Sequence, residues 1–318
     1  MRKILLTLVL LIGSGYLFAQ GVTTASIIGK VADENGSPLI GTTIVALHEP
    51  SGTQYGSVAD VEGFFRIPNV RIGGPYKITA SFVGYETQVI KDVNLSLGEK
   101  RNFSFSMNES AETLQEIVVS AVTDDLINSG RTGASTNVSA DIINGNPSIN
   151  RSIEDFVRLT PQAATGVGNG GISIAGSNSR YNNITIDGAI NNDAFGLNSD
   201  GLPGSSSGSE PISLDAIEEI SILVAPYDVT KGSFTGGGIN AVTRSGTNTL
   251  EGSGYYYVRN ENFAGKTLGE NPERQAPFFN KQYGVRVGGP IIKDKLHFFA
   301  NVEREVSETP NQISLVSQ

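Results

Sequence analysis

The sequence predicts a mainly β protein in three successive parts: a small β-sandwich, an α+β domain, and the first strands of a larger amphipathic sheet. Three observations predict this. Short alternating runs broken by turn residues fill the first hundred or so positions. A helical apolar period and loops rich in Asn, Ser and Gly follow. Beyond residue 248 the alternation lengthens to spans of about 10 residues. Glycine, 38 of 318 residues where an average protein has about 7%, sits mostly in turn-like places and suits a β-rich, loop-rich chain.

The amino end carries an export signal. Met1, Arg2 and Lys3 give a positive start, residues 4–12 are apolar, and residues 13–20 are mostly small, with a cut after Ala19. Residues 1–19 are therefore expected to be a signal peptide, with Leu17 a large residue at the −3 position. An uncleaved anchor would want about 20 apolar residues, more than this stretch offers. Cysteine is absent, so no disulfide staples the exported chain and no thiolate holds a metal or attacks a substrate. A net charge of −9 and a pI near 4.9 argue against a nucleic-acid partner, which needs a basic face. Only two histidines, His48 and His297, leave the usual general base scarce.

In residues 23–108 the segments SIIGKVAD, PLIGTTIVALHE, TQYGSVAD, GFFRIPNV, YKITASFVGYETQVI and KRNFSFSM read as strands. Asn35-Gly36, between the first two, is a hairpin signal. Strands this short and closely spaced predict a β-sandwich. The wording GKVADENGSPLIGTTI, SVADVEGFFRIPNV and YKITASFVGYET resembles the carboxypeptidase-regulatory-like domain. That resemblance implies a transthyretin-like β-sandwich and no peptidase activity. His48 has no second histidine near it and is expected to be a solvated strand-end residue. Residues 109–123, ESAETLQEIVVSAVT, are polar around an apolar centre. A linker with one more strand fits them. So does a docking strand that adds to the edge of a partner's sheet, where main-chain bonds give affinity with little demand on sequence.

The middle segment, residues 124–248, contains SINRSIEDFVRLTP, in which Ile149, Ile153, Phe156 and Val157 keep helical spacing up to Pro161. Glu154 and Asp155 are expected to be solvated on that helix. ISLDAIEEISILVAP reads as a short helix running into a strand. The Asn- and Asp-rich loop between them lacks the spacing of a calcium loop. GSFTGGGINAVTRSGTN, residues 232–248, contains a G-x-G-x-x-A match at Gly236, Gly238 and Ala241. A dinucleotide site of that pattern needs a helix opening at the last glycine and an acidic residue about 20 positions on. INAVTR is β-branched and runs into turn residues within a few positions. The stretch therefore predicts a glycine hinge feeding a strand whose small residues admit a close neighbour. The chain shows no His-Glu-x-x-His and no paired acid and base, and no cofactor, metal or catalytic residue is assigned.

ISLDAIEEISILVAPYDVTKGSFTGGGINAVTRSGTN resembles the end of the plug domain of TonB-dependent outer-membrane receptors: an acidic helix, a strand, a glycine turn, and a G-G-x-I-N-x-x-T-[KR] strand. ISIAGSNSRYNNITIDG resembles a strand pair of the same domain, and NNITIDGAINND and VGGPIIKDKLHFFANVE resemble the Oar-like subgroup. Ala175 stands where the family usually has an arginine that holds the plug to the barrel wall; Arg244, at the other basic position, is kept. The resemblance implies a plug–barrel contact at Arg244. It implies a TonB box at Leu114, Gln115, Glu116, Ile117, Val118, Val119, Ser120 and Ala121. Ligand contact is implied on outward loops, at Arg180, Tyr181, Asn191, Asn192, Asp193 and Phe195, whose other reading is ordinary loop solvation. It further implies the outer membrane of a Gram-negative bacterium, with the amino-terminal domain in the periplasm. The implied partners are the TonB-ExbB-ExbD complex, outer-membrane lipid, a transported ligand and, as an open option, a surface lipoprotein.

In residues 249–318, Tyr256, Val258, Phe298 and Val302 alternate with Tyr255, Tyr257, Asn301 and Glu303. Tyr283, Val285 and Val287 alternate with Gln282 and Arg286. An apolar outer and a polar inner face suit a transmembrane β-barrel, although a soluble sandwich gives the same alternation. The tight turn at Lys293-Asp294 and the polar stretch 260–277 fit the short periplasmic turns and long outer loops of such barrels. Three strands cannot close, and an open edge in lipid leaves unpaired backbone groups, so the chain is expected to be part of a longer protein and not to insert alone. The expected function is energised uptake of a ligand through a plugged barrel. The other reading is an adhesion or structural protein of the outer membrane that binds through its sandwich, for which a plug has no use.

Overall fold

The computed structural model describes residues 22–110, 117–120 (as backbone), 134–148, 151–165, 171–193, 195, 198, 201–204, 210–224, 235–266, 274 and 276–308. The first seven strands are β1 (Ala25–Asp33), β2 (Thr43–His48), β3 (Thr53–Val58), β4 (Phe64–Val70), β5 (Gly73–Ser81), β6 (Gln88–Leu95) and β7 (Lys100–Met107). β1 is the centre of a three-stranded sheet, antiparallel to β4 and parallel to β7. The facing sheet runs β3-β2-β5-β6, antiparallel throughout, and its last edge is taken by β8 (Ile117–Ser120), parallel to β6. Alternate residues point inward: Ile27, Ile44, Tyr76, Ile78, Phe105 and Met107 are each 2% exposed or less. Each large side chain of this kind contributes about 1.5–3 kcal/mol by leaving water, so packing stands in for the missing disulfides.

The hairpin expected at Asn35-Gly36 is reduced to its turn and a single antiparallel bridge, Ala32 to Pro38. The turn itself exists, with Gly36 at φ 84° and Asp33 Oδ1 accepting from the amides of Asn35 and Ser37 at 2.9 and 2.7 Å. Along the rest of β1 the two edges are taken by β4 and β7, so the chain crosses to the facing sheet. His48 also departs from expectation. It is 3% exposed, hydrogen-bonds Ser51 Oγ through Nδ1 at 2.7 Å and packs on the Tyr76 ring. Burial, with Arg71 nearby, pushes its pKa down to about 4 and keeps the imidazole neutral.

The middle domain contains β9 (Ser135–Ser139), α1 (Ala140–Gly145), α2 (Ile153–Val157), β10 (Ala163–Thr165), β11 (Ile172–Ile174), β12 (Asn183–Ile186), β13 (Ala189–Ile190), β14 (Ile217–Leu223) and β15 (Gly238–Thr243). Its main sheet has the order β13-β12-β15-β14-β9, with β12 and β15 parallel. The helical period at 149–157 yields only the short α2, whose Ile153, Phe156 and Val157 fill the core. Asp155 is not solvated: its side chain is 8% exposed, pairs with Arg158 and accepts from Ser148 Oγ. The short helix expected at the start of ISLDAIEEISILVAP is a 3-10 turn, Leu214–Ala216, and Glu218 and Glu219 already belong to β14.

The glycine run admits close neighbours, as its lack of side chains allows. A Cβ on Gly236 would lie 2.5 Å from Asn182 Oδ1, and one on Gly237 would lie 2.5 Å from the Ile174 side chain. Asn182 uses that closeness, accepting Gly237 N–H at 3.0 Å while donating to Ile172 O at 2.7 Å. The chain from Gly238 is a strand, so nothing there forms the helix N-terminus a dinucleotide requires.

The carboxyl-terminal sheet is the meander β16 (Glu251–Asn260), β17 (Phe279–Ile292) and β18 (Leu296–Glu308). At about 3.3 Å per residue, strands of 10, 14 and 13 residues are long enough to cross a bilayer at the usual tilt. Tyr256, Val285 and Val302 on one face are 60%, 61% and 74% exposed. The opposite face meets the middle domain, and that asymmetry is what a wall between lipid and plug requires.

Candidate functional site

Three junctions hold the chemistry of this chain. The first lies between the middle domain and the inner face of β16–β18. Arg151 places its guanidinium 4.4 Å and 4.6 Å from the ring centres of Tyr255 and Tyr257 and pairs with Asp215 at 3.2 Å. Arg151 itself adopts φ 54°, a conformation that costs a non-glycine residue and persists only where surrounding contacts hold it. Glu303 of β18 gathers donors from both bodies: Ser213 Oγ at 2.8 Å, Gln282 Nε2 at 3.0 Å, and the Tyr255 hydroxyl. Arg286 donates to Asp215 O at 3.2 Å and to Ser253 Oγ at 2.7 Å. Sequence reasoning missed Arg151, Ser213 and Asp215, because Arg151 lies about sixty residues before the turn that holds Ser213 and Asp215, and none of them carries a motif. The one available signal was the charge on inward positions of the strands, at Arg286 and Glu303.

The second junction joins the sandwich to the middle domain. β15 is buried on both faces: Ile239 and Ala241 enter its own core, while Val242 packs in the core of the sandwich. Asn240 Nδ2 donates to Val22 O at 2.6 Å. Glu219 on β14 is 5% exposed and accepts Leu97 N–H through both carboxylate oxygens, at 3.0 and 3.2 Å. Burial raises its pKa to about 7; the Leu97 bond opposes the rise, and Glu99 and Glu218 add to it.

Asn248 is the centre of the third, where all three bodies meet. Its amide donates to Pro50 O of the sandwich at 2.7 Å. Its side chain donates to Asp294 Oδ1 at 2.7 Å, accepts from Asp294 N at 2.8 Å and bonds His297 Nε2 at 2.9 Å. The sandwich and the tight β17–β18 turn therefore share one end of the assembly. Beside them lies a cavity of about 220 Å3, lined by Arg71, Glu218, Arg244, Glu251 and Arg286 among others. Arg244 donates from Nε to Ile217 O at 3.0 Å and stands 3.9 Å from Glu218. Burial lowers its pKa. Those partners belong to its own domain, and Glu251 and Arg286 of the strand wall face it across the cavity.

The other predicted residues fall into two groups. Of the docking strand, Ile117, Val118, Val119 and Ser120 form β8, paired in register with Gln88, Val89, Ile90 and Lys91. Leu114, Gln115, Glu116 and Ala121 lie outside the described residues. Arg180, Tyr181, Asn191, Asn192 and Asp193 are brought together where β12 begins, because β13 folds back along β12. Asn191 N donates to Ile184 O, and Asn192 Oδ1 accepts Ile184 N–H, both at 2.7 Å. Asp193 accepts the amides of Phe195 and Asn198. Asn192 and Asp193 thus shape the loop, leaving Tyr181 at 60% and Phe195 at 85% exposure. β15 is parallel to β12 and ends toward Asn248, so this cluster lies at the end of the sheet away from the sandwich.

A folded stopper held against the polar face of membrane-length strands, with a small sandwich on the side of the tight turn, defines a plugged outer-membrane receptor. Residues 26–108 match the Carboxypeptidase regulatory-like domain, residues 116–239 the TonB-dependent Receptor Plug Domain, and residues 242–317 an Outer membrane beta barrel domain. The TonB-dependent transporter Oar of Myxococcus xanthus is 31% identical over 308 residues, 92% of this chain and 27% of that protein. The chain belongs to the TonB-dependent outer-membrane receptors, in the Oar-like subgroup. It spans about a quarter of the length of that relative. Similar solved structures include the siderophore receptor PirA from Pseudomonas aeruginosa (17% identical, TM-score 0.38, 55% of this chain and 29% of that one). The outer membrane transporter YddB from Escherichia coli is another (17%, TM-score 0.41, 54% and 26%). These scores are too low to add to the family match. The family places the chain in the outer membrane of a Gram-negative bacterium with its amino-terminal domain in the periplasm.

Proposed function

We propose that this chain is the receiving and gating part of an energised importer, taking up a ligand through a plugged barrel. A barrel wide enough for a nutrient leaks unless it is stopped, and the outer membrane has no nucleotide with which to move the stopper. Work must therefore arrive mechanically, from a TonB-ExbB-ExbD complex drawing on the inner-membrane gradient and pulling on residues 114–121. The observation that supports this reading is the polar make-up of the plug's seat. Arg151, Ser213 and Asp215 hold the inner wall by two ring contacts and a few hydrogen bonds, with the Arg151–Asp215 pair fixing the plug side of the contact. No apolar core is shared between plug and wall among the described residues. Ligand would meet the exposed Tyr181, Phe195 and Arg180 at the opposite end from the sandwich. The full-length receptor should bind a TonB carboxyl-terminal domain, and deletion of 114–121 should abolish that binding. Undiminished capture after the deletion would sink the assignment.

A further inference from the structure

The sandwich has two ends with different duties. Val22, Pro50, Arg71 and Leu97 bond to Asn240, Asn248, Ser245 and Glu219 of the neighbouring parts, and the strand registers put all four at one end. The turns at 33–41, 59–63, 82–87 and 108–110 close the other end, a tip directed away from the plug. We propose that this tip is a docking site for a basic, proline-bearing extended segment of another periplasmic protein.

The tip carries an open groove of about 600 Å3, lined by Gly41, Phe82, Val83, Gly84, Tyr85 and Thr87 among others. The Phe82 and Tyr85 rings pack 5.5 Å apart as one aromatic wall, and Val83 between them in sequence is 93% exposed. Ile40, next to Gly41, and Val58, the register partner of the lining Thr43, are exposed as well. Gly84 keeps the groove open, since a Cβ there would meet nothing within 4 Å. Bare apolar surface gathered in one place, rimmed by polar residues, marks a site of binding.

The main chain around the groove is already paired. Gly41 N donates to Ala59 O, Tyr85 N to Phe82 O, Glu86 N to Asn108 O and Ser110 N to Gly84 O, at 2.9 to 3.2 Å. A partner that adds by strand pairing therefore finds few bonds to make. A polyproline II segment asks for none: it arrives preformed and seats its apolar ridges on aromatic surfaces. Charge sets the rest of the chemistry. The four turns hold Asp33, Glu34, Asp60, Glu62, Glu86 and Glu109 and no lysine or arginine. Desolvation, and then the carboxylates of Glu109, Asp33 and Glu34, raise the pKa of Tyr85, which puts three of these acids near the aromatic wall. Such a rim draws in a cationic segment. It repels anionic lipid and a second copy of a chain whose net charge is −9.

The test titrates a fluorescent peptide of alternating lysine and proline into the full-length receptor and follows its anisotropy. The peptide is expected to bind, and to bind less tightly as ionic strength rises. Tyr85→Ala, which removes one ring of the wall, and Glu34→Lys combined with Glu86→Lys, which reverses two rim charges, should each weaken it about tenfold or more. Val83→Ser guards against an effect of folding, because a side chain 93% exposed supports no packing; it should weaken binding severalfold. A lysine–glycine peptide of equal length and charge lacks the preformed helix and should bind about tenfold less tightly. Absence of binding overturns the proposal. Equal binding of the lysine–glycine peptide does so too, since it reports only general attraction to an acidic chain, as does parental affinity in all the variants. A receptor that instead self-associates, and returns to the monomer in Val83→Ser, makes a second copy the occupant and refutes the proposal as well.

Discussion

Replacing Glu219 by glutamine should tighten the contact between sandwich and plug at pH 8 and remove most of its response to pH. Glu219 sits 5% exposed beneath Leu97, and burial raises its pKa from 4.5 to about 7. The groups around it are Glu99, which is tied to Arg101 at 2.8 Å, and Glu218, which lies 3.9 Å from Arg244. When the sandwich is undocked, the carboxyl meets water and titrates near 4.5. Below that value it is protonated in both states and costs nothing extra. Between 4.5 and about 7 the docked state holds a proton that the undocked state has lost. Stability of the contact therefore falls as pH rises through this window, and the full cost is present above it. At about 1.36 kcal/mol per pH unit, the cost amounts to about 3 kcal/mol.

Glutamine keeps an oxygen to accept Leu97 N–H and carries no charge. It should recover most of that energy at pH 8 and change little at pH 5. Amide hydrogen exchange across residues 95–99, corrected for the intrinsic rate at each pH, reads the contact directly. Protection in the parent should fall about a hundredfold from pH 5 to pH 8, while in Glu219→Gln it stays level. Equal protection in the parent at both pH values, or lower protection in the glutamine variant at pH 8, would refute the reasoning.

Other consequences follow from the same junctions. Arg151→Ala removes the two ring contacts to the wall, about 1–2 kcal/mol of plug seating, and the ion pair to Asp215 that positions the guanidinium from within the plug. Passive permeability of cells to a large antibiotic should rise, and Arg151→Lys, which keeps charge but loses planar stacking, should restore it only in part. Arg244→Ala gives up the Nε bond to Ile217 O, about 1 kcal/mol. It should raise leak less than Arg151→Ala, and unchanged permeability would count against any part for Arg244 in holding the plug. Gly237→Ala forces a methyl group to within 2.5 Å of Ile174 and should destabilise the plug by about 1–3 kcal/mol, measurable as a lower denaturant midpoint.

What could be read in the sequence follows from how local its cause is. Alternation in LEGSGYYYVRN separates the lipid face from the plug face, because pleating fixes that within the strand. Inward Tyr255 and outward Tyr256 stand where the pattern puts them. The glycine run was equally legible, since steric room is a property of the residue. Topology was not. Asn35-Gly36 makes a good turn and one bridge, Ala32 to Pro38, yet β1 takes β4 and β7 as its strand partners, and β7 lies more than sixty residues downstream. His48 failed in a similar way, being covered by Tyr76, its register partner on β5, and by Ser51 as the chain turns back. The site residues divide likewise. Glu219 reads as one of two acids in a helix-like stretch, and only the arrival of Leu97 turns it into a buried carboxylate. In INAVT the letters give a strand with two covered faces, but not that Ile239 and Ala241 serve one core while Val242 serves another. That strand is the physical link between sandwich and plug. Force applied to the plug therefore reaches Val242 and Glu219 as well as Arg151, so the sandwich must either move with the plug or let go of it.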